Sequence, residues 1–181
     1  MSGDFDLGAI CRNHENVIFD ISGLYAPFKN SLIRSAYDSS LKYFAGMLTR
    51  LPKCKIPEAA LHVLNQRQKR DPIAESLSDV LKSRTMHVGY KHQKLLRANC
   101  LELAQKYRID EQDRHSILLA LALARDTVQV KGASTAYITS VDNNVSMYKE
   151  LRTKMAISAE KALPYKWNAG KYVPVLDAIK A

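Results

Sequence analysis

Three cations spaced three apart, Lys91, Lys94 and Arg97, point most directly to a chemistry. On a helix they share one face. The positions four residues on, Leu95, Ala98 and Leu101, hold no acid to neutralise them. A stripe of this kind neutralises phosphates and releases counterions, which gives affinity for a polyanion without choice of sequence. Arg67, Lys69 and Arg70 lie upstream and extend the same chemistry. The plain alternative is a solvated helix face, and the scarcity of paired acids weighs against it.

A second candidate would read bases rather than phosphates. Residues 134–154 can be laid on a helix-turn-helix: a short helix Thr135 to Val141, a turn at Asp142 and Asn143, and a second helix carrying Val145, Tyr148 and Leu151. The second helix of such an element lies in a major groove with its first residues at base edges. Asn144, Lys149 and Arg152 are then the outward contacts, of types suited to bases and phosphates. The fit is partial. Asp142 stands in place of the turn glycine, and Ile138 is bulky for a tight helix crossing. A kinked pair of core helices is the bland and weightier reading of the same residues.

Near the C-terminus Tyr165, Trp167 and Tyr172 interleave with Lys166 and Lys171. Aromatic and basic residues together serve stacking on unpaired bases, and they serve equally as an interface core. The expectation here is an oligomer contact made by Trp167, Tyr172 and Leu176. Cys11 and His14 have the spacing of a zinc half-site that Cys54 and His62 would have to complete. Nothing ties one pair to the other, and zinc needs all four converging. No metal or other cofactor is expected. Phosphate loops, dinucleotide fingerprints, nucleophile elbows and metalloprotease motifs are all missing, so the chain is expected not to be an enzyme.

The elements that must position these residues read as helices. Asn30 and Ser31 cap a helix to about Leu51, Pro57 and Glu58 start another, and Asp71 with Pro72 repeats the start signal. A long helix runs from Tyr90 to about Arg108, after the break at Gly89. Asp110 and Asp113 resemble a capping box for the next, whose stretch Ile117 to Ala124 is apolar on every side and marks a central helix. Residues 127–141 fit either a hairpin or a broken helix, and the helical reading is preferred. A last helix spans about Asn144 to Leu163 and stops before Pro164. The fold class is therefore all-α, an irregular bundle of six to eight helices (29–163). An extended acidic arm (1–28, with 16–21 as a short strand or docking segment) precedes it, and an apolar docking tail (164–181) follows.

The chain of 181 residues carries 27 Lys and Arg against 18 Asp and Glu, a net charge of +9. That excess goes beyond what solubility requires. No run approaches the ~20 apolar residues of a membrane span, and no basic, apolar leader opens the chain. Three widely spaced cysteines fit free thiols in a reducing compartment. The expectation is a cytoplasmic (or, in a eukaryote, nuclear) protein, away from membranes, binding nucleic acid without catalysis. DNA is placed ahead of RNA, in gene regulation or DNA organisation, with a homo-oligomer or a helical protein as further partner. The alternative is a structural or adaptor subunit of a nucleoprotein or secretion assembly. An enzyme with an unrecognised site stands third.

Overall fold

The computed structural model describes residues 6–28, 34–87, 100–126 and 134–177. Its organising element is the short run Asn16–Phe19 (β1), in which all four side chains are buried. A strand buried on both sides must be covered by layers above and below it. β1 pairs in parallel with β2 (Cys54–Pro57) on one side and with β4 (Thr135–Thr139) on the other. β3 (Thr85–Met86) lies parallel outside β2, and β5 (Ala162–Asn168) lies parallel outside β4. β6 (Lys171–Pro174) closes the far edge antiparallel to β5, giving the order β3-β2-β1-β4-β5-β6.

The sheet's side chains alternate between two cores, as the pleat requires. Val17, Phe19, Ala136 and Ile138 face one core, with apolar residues of α1 (Leu7–Asn13), α2 (Ile21–Tyr25), α3 (Arg34–Arg50), α4 (Glu58–Arg67) and α5 (Pro72–Leu81). Ile18 and Tyr137 face the other, with the helical residues 100–107 (α6), α7 (Glu111–Asp126) and α8 (Asp142–Lys154). The molecule is a three-layer α/β fold with a six-stranded mixed sheet, not an all-α bundle.

The acidic arm and the apolar tail are likewise corrected. Residues 7–28 supply α1, the central strand and α2, while the tail supplies the end of β5 and all of β6. The helix-turn-helix dissolves because Thr135–Thr139 is a fully buried strand. The last helix ends at Lys154, well before Leu163. Other readings stand. Asp71 caps α5 by accepting from Ile73 N at 3.0 Å, with Pro72 in its first turn. α7 is buried along Ile117 to Ala122 and at Ala124, but against a sheet rather than among helices. The caps at Asn30 and Ser31, the start of the helix at Tyr90, and Thr127 to Val130 lie outside the described residues.

Candidate functional site at the strand-order reversal

Chain order reverses at β1. The chain steps outward through β2 and β3, then returns to lay β4 on the other side of β1. After β1 it leaves into α2, on one face, and after β4 into α8, on the other. Two connections departing in opposite directions leave a crevice at the C-terminal ends of the two strands, which is where open α/β sheets bind ligands.

Asp20 stands at that point, directly after β1, and is wholly buried. One of its oxygens caps α2, accepting from Gly23 N at 2.7 Å and from Ser22 Oγ at 2.6 Å. A glycine is required at position 23, since a Cβ there would lie 2.5 Å from the carbonyl oxygen of Ile138 on β4. The other oxygen accepts from Tyr137 OH at 2.6 Å and from Asn144 Nδ2 at 2.9 Å. Asn144, in the first turn of α8, donates from the same nitrogen to Asp113 of α7, also at 2.9 Å. Thr139 adds a hydroxyl 3.1 Å from Ser22 Oγ. Asp113, Ser22 and Ser140 are half-buried, so this cluster meets solvent on their side.

Two carboxylates thus flank one neutral amide. Burial, and after it the charge of Asp20, pushes the Asp113 carboxyl up to about 7. Burial, and after it Asp20, likewise raises the Tyr137 hydroxyl well above its ordinary range. The surrounding donors are all oxygens of hard character, which suit magnesium or manganese rather than zinc. Among the described residues no three His, Cys, Asp or Glu side chains converge. A magnesium site, though, commonly uses one or two carboxylates and completes its shell with water and substrate phosphate. Asp142 does not contribute, being exposed and paired with Lys166 at 2.6 Å.

The residues singled out by sequence lie elsewhere or serve otherwise. Asn144 is in the crevice, 2% exposed and unable to reach a DNA groove. Arg152 is buried and donates to Ala162 O at 3.0 Å and to Asp177, and Lys149 donates to Leu176 O at 2.9 Å. Both tie the C-terminal segment to α8. Arg67, Lys69 and Arg70 are exposed at the α4–α5 turn, Arg67 lying 6.0 Å from the centre of the Tyr25 ring. Lys91, Lys94 and Arg97 lie outside the described residues. Tyr172 is buried in the chain's own core and donates to Gly23 O; Trp167 packs beside it, and Leu176 is exposed.

The zinc set does not assemble. Cys11 Sγ and Cys54 Sγ lie 3.6 Å apart, but His14 is engaged by Ser134 Oγ (2.8 Å) and Tyr165 OH (2.6 Å), and His62 by Gln66 (3.0 Å). Compared with protein-family models, with curated proteins and with solved structures, the chain matches none. Asp20, Asp113, Tyr137 and Thr139 are the site residues that sequence reasoning passed over. The available signal was a short apolar run closing on an acid or hydroxyl, Val17-Ile-Phe-Asp20 and Tyr137-Ile-Thr-Ser140.

Proposed function

We propose that the chain is a divalent-cation-dependent phosphodiesterase acting on nucleic acid, with Asp20 and Asp113 as the cation-holding pair. The observation that carries this reading is the Asn144 amide nitrogen, 2.9 Å from an oxygen of each carboxylate. A weakly positive N–H pair occupies the point where the two negative fields add, and a hard cation is favoured there far more strongly. Asn144 also has a carbonyl oxygen, so rotating its amide adds a third oxygen donor. Burial first, and the charge of Asp20 after it, raise the proton affinity of Asp113, and a cation would answer the Asp20 part of that need. A bound cation of this kind polarises a phosphoryl oxygen and acidifies a water. The protein holds Asp20 rigid through four hydrogen bonds and projects Asp113 from the buried helix α7. The net charge of +9 supports a polyanionic substrate.

A second reading is a nucleic-acid-binding or adaptor protein without catalysis. It is favoured by Asp20 itself, whose four hydrogen bonds are already what a buried helix cap needs. Cleavage of labelled single-stranded and duplex RNA and DNA, with Mg²⁺ or Mn²⁺ and with chelator, separates the two. Cation-dependent cleavage that falls roughly 100-fold or more in Asp113→Asn is expected, the scale of losing a few kcal/mol of transition-state stabilisation. Binding without cleavage under every condition would establish the second reading.

A further inference from the structure

A cavity of about 700 Å³ opens between the first turn of α1, the 3₁₀ turn Ala26–Phe28, α3 and the β5–β6 hairpin. It falls in the size range of small-ligand sites. Its walls are aromatic: Phe28 and Phe44 meet edge to face at 5.5 Å, and Trp167 and Tyr172 at 4.7 Å. Tyr43 completes the lining and is 75% exposed, so its ring has little role in the core. The rim is cationic. Arg12 and Lys171 border the cavity, and Lys42 and Arg50 border an adjoining depression that shares Tyr43 and Met47. Among the described lining residues the carboxylate is Asp6, which caps α1 by accepting from Ala9 N at 2.6 Å.

We infer that this cavity is a binding site for a nucleotide unit, its unpaired base stacked against Tyr43 and Trp167 and its phosphate held by Arg12 and Lys42. Flat aromatic walls accept any base face, and a base paired in a duplex cannot enter. Guanidinium and ammonium groups supply the matching charge and can also lie against rings. A path of two hydrogen bonds joins the cavity wall to Asp20. Tyr172 lines the cavity and donates to Gly23 O, while Gly23 N donates to Asp20. The inference rests on the phosphodiesterase reading for the identity of the substrate, and it makes that substrate single-stranded.

Trp167 is the single tryptophan of the chain and lines this cavity, so its emission reports on binding there. The test titrates the Asp113→Asn variant of the 181-residue chain, in chelator so that nothing is cleaved, with oligouridylate, oligothymidylate, the mononucleotide UMP and a duplex. Single strands should quench Trp167, the duplex should not, and Tyr43→Ala should weaken single-strand binding roughly tenfold or more. Arg12→Gln and Lys42→Gln should flatten its salt dependence. Both sites are exposed, so these changes spare the fold. Quenching by UMP at similar concentrations would assign the site to free nucleotides, and quenching by strands alone would assign it to a nucleic acid chain. Single strands that bind with unchanged emission, with Tyr43→Ala binding as wild type, would overturn the inference. Quenching by a fatty acid and not by nucleotides would overturn it too. A protein without cleavage activity can still show the quenching, and one without quenching can still cleave, so the two failures are distinguishable.

Discussion

Asp113 and His14 pull stability in opposite directions with pH. Asp113 is held near 7 when folded, above its ordinary 3.8. It therefore stabilises most below about pH 4, and that contribution is lost as pH rises to about 7. His14 is held at about 4, below its ordinary 6.5, by burial and then by the charge of Lys53. Its contribution is present above pH 6.5 and is lost as pH falls towards 4. The two slopes offset each other, so urea denaturation should find the wild type nearly flat between pH 4 and 6.5. In Asp113→Asn only the histidine slope remains, and stability should fall by on the order of 2 kcal/mol as pH is lowered from 6.5 to 4. The same variant should be about 1–2 kcal/mol more stable than wild type at pH 8, a figure reduced from the full shift because Asp113 meets solvent. Stabilisation on removing this carboxylate would mark it as a group kept at a cost to the fold.

At the scale of elements, the crevice depends on how closely α2 approaches β4. Gly23→Ala places a methyl against the Ile138 backbone, which cannot yield as a side chain would. A loss of about 1–3 kcal/mol in chemical denaturation is expected, together with weakened cation binding through the displaced Asp20. The β5–β6 turn carries the opposite opportunity. Ala169 (φ 47°) and Gly170 (φ 87°) are both left-handed, the requirement of a two-residue hairpin whose twist suits its strands. Asparagine tolerates that conformation better than alanine, so Ala169→Asn should raise stability by about 0.5–1 kcal/mol.

These elements explain what the sequence disclosed. Helix starts were legible because Asp71-Pro72 and Pro57-Glu58 are local chemistry. β4 was not: at five residues, buried on both faces, it has no alternation to separate it from a helical turn. Pro164 reads as a helix stop, yet it sits within β5 and its carbonyl accepts from Val175 N at 2.8 Å. Asp113 resembles a capping-box residue, and Asn144 a base-reading one. Their meeting with Asp20, 124 residues before Asn144, is a property of strand order that no local pattern carries.

For the whole molecule, the C-terminal segment is structural. Deleting residues 165–181 removes β6 and most of β5, exposing β4 and part of the first core. Circular dichroism melting of the truncated chain should lose its cooperative transition; a preserved melt with altered oligomeric state would instead make the tail a docking element. Among the described residues no helix is long and apolar enough to cross a membrane. The net charge of +9 predicts binding to polyanions that weakens steeply with salt. The cation pair at the strand-order reversal is tested by Mn²⁺ titration, read by calorimetry and thermal melting. One Mn²⁺ per chain is predicted, raising the melting temperature of the wild type and leaving that of Asp113→Asn unchanged. Superimposed wild-type melts with and without millimolar Mn²⁺, and no heat of binding, would contradict it.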